Sequence, residues 1–183
     1  MTRGPSGILE RQLAELTDVL HRISPDQFSE AAEVIAVAPR VFLAGRGRNG
    51  LALRGFGNRL AQLGKPVAII GDILTGPVET GDLVVVASAS GTTPALLDIT
   101  GTARTIGARI LALTGSHYTP LSAQSDASLT IPAVLADGRS SMQPLGTLFE
   151  QSLTLVCDAM IVHLMRRLNV TVDSMRTRHA NIE

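Results

Sequence analysis

An α/β fold built on a parallel sheet is predicted for this chain from three observations. After Pro39, five short apolar runs at 41–44, 67–70, 83–87, 109–113 and 128–132 have the length of strands. Helix-like segments at about 50–63 and 94–106 lie between them, each followed by a glycine, Gly64 and Gly107, where a helix C-terminus favours one. The run Leu83-Val84-Val85-Val86-Ala87 carries no polar residue at all, the pattern of a strand covered on both faces. Strands alternating with helices imply βαβ units, and ligands in such folds sit at the carboxyl ends of the strands.

The elements follow in order. Ile8, Leu9, Leu13, Leu16, Val19 and Leu20 repeat at helical spacing and predict a helix over 8–22. Ser24-Pro25-Asp26-Gln27 reads as N-cap, first-turn proline and capping box, opening a second helix that runs to about Ala38. These two helices form an N-terminal segment, 1–38, ahead of an α/β core over 40–168. A short helical turn near Pro120 to Gln124 separates the last two strands, and a long helix runs from Thr147 to about Leu168. A tail over 169–183, with a short helix from Thr171, completes a single domain, since 183 residues can bury one sizeable core. The one long irregular stretch, Ala133 to Gly146, has the length of a binding loop or lid.

Composition excludes several function classes. The formal net charge is zero and aromatic residues make up 3%, with no Trp and Tyr118 alone, so neither a basic nucleic-acid surface nor a base-stacking platform is expected. The apolar stretch Leu153 to Met165 is broken by Thr154, Asp158 and His163 and is too short to span a bilayer, so no membrane partner is expected. With a mean hydropathy of +0.25, the better expectation is an oligomer that buries the long helix between subunits through Leu153, Val156, Met160 and Leu164. A lone Cys157 and the lack of a secretory pattern predict a cytoplasmic protein. Lys65 is the only lysine and precedes a strand, the wrong end of the sheet for Schiff-base chemistry. His21, His117 and His163 show no metal-ligand spacing, so no metal is expected; His117, after the fourth strand, is kept as a site neighbour.

Two loops carry the chemistry. Ser88-Ala89-Ser90-Gly91-Thr92-Thr93 follows the third strand, and Pro94 opens the next helix, so several hydroxyls and backbone N–H groups meet at the positive end of a helix. Thr92 or Thr93 alone would read as an N-cap, but four hydroxyls exceed what one cap needs. Gly45-Arg46-Gly47-Arg48-Asn49-Gly50 matches G-x-G-x-x-G, with Asp72 some 22 residues beyond, so a dinucleotide-binding domain competes. Against it stand the two helices ahead of the first strand, Gly71 between strand end and Asp72, and a hydroxyl loop that simple dinucleotide binding does not use. Arg46 and Arg48 are placed instead to meet a phosphate or sugar hydroxyls.

With both loops, Pro144-Leu145-Gly146-Thr147-Leu148-Phe149-Glu150-Gln151 and the terminal Arg178-His179-Ala180-Asn181-Ile182-Glu183, nearly the whole chain resembles the sugar isomerase (SIS) domain family, most of all its 6-phospho-3-hexuloisomerases. The resemblance implies a three-layer sandwich with a five-stranded parallel sheet in flavodoxin-like order and a homotetramer. It also implies conversion of D-arabino-hex-3-ulose 6-phosphate to fructose 6-phosphate in the ribulose monophosphate pathway, with no cofactor. It places the phosphate on Ser88, Ser90 and Thr93 and the N–H groups of Ala89 and Gly91, with Gly47, Arg48, Asn49 and Thr92 beside it. The family often has Ser where Asn49 stands and Glu where Thr92 stands. Other SIS isomerases, such as those acting on arabinose 5-phosphate, and non-catalytic sugar-phosphate sensors remain alternatives.

The resemblance makes Glu150 the base that moves a proton between C2 and C3 of a 2,3-enediol. Thr147-Leu148-Phe149-Glu150 is also a T-x-x-E capping box, which would use the same carboxylate structurally. For His179 the resemblance leaves two roles, a proton shuttle between O2 and O3 reached from a neighbouring subunit, or a structural one.

Overall fold

Short apolar runs that pair side by side place the sheet at the centre of the molecule. The computed structural model describes residues 4–182. Five parallel strands, β1 (Val41–Gly45), β2 (Val67–Ile69), β3 (Leu83–Ser88), β4 (Arg109–Thr114) and β5 (Ala127–Thr130), lie in the order β2-β1-β3-β4-β5. β5 stops before Pro132, which cannot donate to a ladder, although Ile131 N still donates to Thr114 O at 2.7 Å. Alternate strand residues feed two cores. Val41, Leu43, Leu83, Val85, Leu111 and Leu113 face α1 (Gly4–Leu20), α2 (Pro25–Val37), α3 (Gly47–Leu63) and α6 (Thr147–Arg167). Phe42, Ala44, Val84, Val86, Ile110 and Ala112 face α4 (Pro94–Ile106) and α5 (Pro120–Ala123). The result is the three-layer sandwich expected, with a short α7 (Val172–Arg176) in the tail.

Helix ends follow the sequence closely, with informative exceptions. Gly64 (φ 93°) and Gly107 (φ 86°) take the left-handed conformation that closes α3 and α4. Ser24 caps α2 by accepting from Gln27 N at 3.3 Å, but the reciprocal half of the capping box is not made. Gln27 instead reaches across the fold, its Oε1 accepting from Thr130 N at 3.0 Å and its Nε2 lying 3.2 Å from His117 Nδ1. Tertiary partners outcompete the local one. Lys65 Nζ donates to Ala36 O (2.9 Å) and Ala38 O (2.6 Å), closing the end of α2, and burial pushes its ammonium pKa down.

The expectation for the long helix needs correction. Leu153, Val156, Met160 and Leu164 are 0–4% exposed within one chain, packed against α1, α2 and α3, so they belong to the domain's own core. Periodicity reports an apolar face but not whether a neighbouring helix or a second subunit covers it. By length and composition α6 could also cross a membrane, but nine of its residues are buried in this core. On α6 itself Leu155 and Val162 remain exposed, and further exposed apolar groups include Ile8, Leu9 and Leu13 on α1, Leu51 on α3, and Leu145 in the segment before α6.

Candidate active site

Strand order decides where the two loops meet. The chain passes from β1 outward to β2, then returns to β3 on β1's other side, so the order reverses between β1 and β3. Gly45 pairs with Ala87 in that register, and the segments following both strands open at the same edge of the sheet, the usual place for a ligand in this class.

The G-x-G-x-x-G stretch proves to be a packing device and the first turn of α3. A Cβ on Gly45 would come within 2.9 Å of Gly50 N, and one on Gly50 within 2.8 Å of Gly45 O, so both glycines allow strand and helix to touch. α3 starts at Gly47 (φ 55°), three residues earlier than expected, so Arg48 and Asn49 project from its first turn. Arg46 is exposed at the N-cap position. Asp72 is gripped by both terminal nitrogens of Arg54, which holds its carboxyl below the usual range, and is thus not free for a ribose.

The hydroxyl loop closes on itself. Ser88 Oγ lies 3.0 Å from Thr93 Oγ1 and accepts from Gly91 N at 3.2 Å, while Ser90 Oγ accepts from Thr92 N (3.3 Å) and Thr92 Oγ1 (2.9 Å). Thr93 stands at the N-cap of α4, yet its hydroxyl serves Ser88 and not a helix N–H, which removes the simple capping reading. Gly91 N–H also meets Ser88 O, so a phosphate that used this N–H would have to displace Ser88. Ala89 is half-buried behind the loop and accepts from Gly115 N at 3.0 Å; Leu121 N donates to Gly91 O at 3.0 Å. The β4–α5 connection therefore buttresses the loop. Thr119, packed under Gly91, is a supporting residue that the sequence reading missed, although Thr119-Pro120 carries a cap signature.

Glu150 is not a cap. Gly146 is the N-cap of α6, which makes Thr147 the first helical residue, and Thr147 Oγ1 donates backward to Pro144 O at 2.7 Å. The T-x-x-E pattern is therefore one residue out of register with a capping box. The Glu150 side chain turns instead toward α3, where Oε2 sits 2.6 Å from Arg48 Nε. The N–H is not aimed at that oxygen, which has no hydrogen-bond donor in the chain. Arg48 is 62% exposed and Glu150 18%, so this ion pair is worth at most about 1 kcal/mol and is easily exchanged. Asn49 Oδ1 and Gln151 Oε1, one residue from Arg48 and from Glu150, are likewise shielded from solvent without a partner in the chain.

Side-chain capping divides the helices. α2, α5 and α7 are closed by Ser24, Thr119 and Thr171. α3, α4 and α6, which supply Arg48, the hydroxyl loop and Glu150, have no side-chain cap. Three uncapped positive helix ends favour an anionic ligand.

His179 is not in the cleft of its own chain. Arg178 anchors the tail by donating to Gln62 O (3.2 Å) and Ser174 O (3.3 Å), which leaves His179 exposed on the flank of α3 and α6 beside Arg59 and Asp158. Asp158 lies eight residues past Glu150, about 12 Å along the helix. Glu183 falls outside the described residues. His117 stacks edge-on with Tyr118 beyond the β4 end, tied to Gln27 and not to the hydroxyl loop. Among the described residues no cluster of His, Cys, Asp or Glu could hold a metal ion. Burial, with Asp158 adding to it, pushes the Cys157 thiol up, so it supplies no thiolate near neutrality.

Comparisons with known proteins bear on the family and the fold. The SIS domain matches residues 34–155. A 3-hexulose-6-phosphate isomerase of Mycobacterium gastri is 39% identical over 92% of this chain and 86% of its own, and one of Bacillus subtilis is 35% identical over 93% and 97%. The crystal structure of a Methanococcus jannaschii protein, from which the molecular function of a 3-hexulose-6-phosphate isomerase was inferred, superimposes with a TM-score of 0.83 at 26% identity, covering 96% of this chain and 99% of that one.

Proposed function

The chain belongs to the SIS domain family, and from that premise we propose that it isomerises D-arabino-hex-3-ulose 6-phosphate to fructose 6-phosphate, with Glu150 as the base. The observation that carries this reading is the Glu150 carboxylate: free of any capping duty, it stands against Arg48 at the strand-order reversal where three uncapped helix ends meet. The names of the relatives support the same substrate.

In this reading Ser88, Ser90 and Thr93 take the phosphate, with the α4 N-terminus behind them and the N–H groups of Ala89 and Gly91 assisting. The sugar chain extends toward α3 and α6. Glu150 removes the proton from C2 while the C3 carbonyl oxygen gains one, O2 loses its own, and the protonated Glu150 returns its proton to C3. One carboxylate beside a planar enediol serves both steps. Arg48 leaves its weak pair with Glu150 for the oxygen on which charge develops, so a contact absent in the ground state appears in the transition state. Asn49 Oδ1 and Gln151 Oε1 accept from sugar hydroxyls, and Gly47 and Thr92 line the same crevice. No cofactor enters the scheme.

The working form in this reading is a cytoplasmic homotetramer in which His179 of one chain approaches the cleft of another. The exposed Ile8, Leu9, Leu13 and Leu145 offer apolar surface for such association, in place of the α6 face. The test is isotopic. In deuterated water, deuterium should enter C3 of the fructose 6-phosphate formed to the extent that the protonated Glu150 exchanges with solvent before returning its proton, and Glu150→Gln should lower turnover by about 10²–10⁴-fold while retaining phosphate affinity. Near-normal turnover in that variant would remove Glu150 from the chemistry.

A further inference from the structure

Glu15 is a carboxylate that the scheme above does not use, yet it is only 4% exposed on a helix whose other buried residue is Val19, one turn on. Burying a carboxylate is costly unless donors surround it. Here they come from a segment more than 120 residues away. Glu15 Oε2 accepts from Ser141 Oγ at 2.6 Å and from Gln143 Nε2 at 3.4 Å, and Oε1 accepts from Met142 N at 3.0 Å. Gln143 is itself buried, and its Oε1 accepts from Gln12 Nε2 at 3.4 Å. One turn along α1, Asp18 accepts from Ala136 N at 3.1 Å, and Arg22 donates to Pro132 O at 2.9 Å. α1 and the turn that follows it therefore grip the irregular stretch 132–143 at both ends.

Between those grips Leu135 is buried in the core and Ala133 packs against it, but Ala136 to Ser140 stand exposed. A hollow of about 430 Å³ opens beside them, with Arg11, Glu15, Asp18, Ala136, Asp137 and Arg139 in its lining. Past Leu135, hydrogen bonds to Asp18 and Glu15 tie the segment to α1. The path from the grip to the base is short. Gln143 leads to Pro144, whose carbonyl accepts from both Thr147 N and Thr147 Oγ1, and then to Leu145, a non-glycine residue at φ 55° with its side chain fully exposed. Gly146 follows and accepts from Glu150 N at 3.0 Å. A strained, unpacked Leu145 persists only if both sides of it are fixed. α6 fixes one side and Glu15 the other.

We propose that Glu15 is a positioning residue for Glu150: its buried carboxylate sets the segment that starts α6 and so sets where the base stands. The inference rests on Glu150 being that base. The charge matters because three donors converge on the group. Glutamine would present an amide N–H₂ to at least one of them, leaving a buried donor facing a donor. The hydroxyl loop joins β3 to α4, is braced by the β4–α5 connection and makes no hydrogen bond to this grip, so phosphate affinity is separable from base placement.

The test is Glu15→Gln in the full chain, with Ser141→Ala as the milder variant that leaves the carboxylate and the Met142 contact in place, and Glu150→Gln measured in parallel. Displacing a catalytic group by about 1 Å lowers rate by about 10²-fold. Glu15→Gln should lower kcat by about 10–100-fold, with KM and the affinity for inorganic phosphate within about threefold, and amide exchange at Met142 should accelerate while that of the Ser88–Thr93 loop does not. Ser141→Ala should lower kcat less, with the same unchanged KM. Wild-type kcat in either variant, or kcat and phosphate affinity falling together, overturns the inference. Should Glu15→Gln fail to fold, Ser141→Ala decides. If Glu150→Gln is inactive while both of these are normal, only the positioning role fails; if Glu150→Gln is active, the reading of the base fails and this inference with it.

Discussion

Gly91→Ala is the perturbation whose magnitude the structure fixes best. Gly91 has φ 62°, and forcing an alanine into that region costs about 1–2 kcal/mol. The added methyl would overlap Thr119, whose Cγ2 would lie 2.8 Å away, and relief requires the β4–α5 connection to move. Overpacking of this kind costs about 1–3 kcal/mol more. A total near 3 kcal/mol in a chain of this size lowers Tm by about 6–12 °C. The same shift moves the Ser88–Thr93 hydroxyls, so phosphate affinity should fall with stability. Gly76→Ala is the control, because its Cβ would meet nothing within 4 Å. Denaturant unfolding and calorimetric titration with inorganic phosphate read both effects. Equal stability of the two variants, with unchanged phosphate affinity in Gly91→Ala, would refute the account of this loop.

Other expectations follow from the same physics. Ser88→Ala combined with Ser90→Ala should weaken fructose 6-phosphate binding by about 3–6 kcal/mol if two hydrogen bonds to a charged group add, and should barely change binding of unphosphorylated fructose in calorimetry. Asp82 is buried; burial raises its carboxyl pKa, but hydrogen bonds from Arg40 and Glu79 N–H outweigh this and leave it below the usual range. Its folded pKa is thus lower than the unfolded one, so its contribution is complete above about pH 4 and is lost as pH falls through the folded value. Asp82→Asn should flatten the decline of the denaturant midpoint between pH 6 and pH 3. Deleting residues 178–183 should reduce activity more than stability, and mixing that variant with Glu150→Gln chains should restore activity, which requires one site built from two chains; no rescue would confine His179 to a structural role.

The fold was legible because local signals and tertiary demands agree there. Apolar runs bounded by Gly64 and Gly107 marked strands and helix ends to within a residue or two, and strand order with resemblance placed both loops at one crevice. Legibility failed where a residue has two possible partners. Gln27 looked like half of a capping box, but Thr130 and His117 claim it. Thr147 and Glu150 looked like another, but Gly146 and not Thr147 is the N-cap of α6, which frees the carboxylate. Leu153 to Leu164 looked like an interface because an apolar stripe does not name what covers it. Glu15 gave almost no signal, since its donors lie in an irregular segment whose path no periodicity encodes.

The most direct measurement is conversion of synthesised D-arabino-hex-3-ulose 6-phosphate by the purified chain, with fructose 6-phosphate followed as product and Glu150→Gln alongside. Catalytic turnover that falls at least about a hundredfold in Glu150→Gln is the expected result. A wild-type chain that binds fructose 6-phosphate yet converts no hexulose phosphate would contradict it and leave a sugar-phosphate sensor in its place.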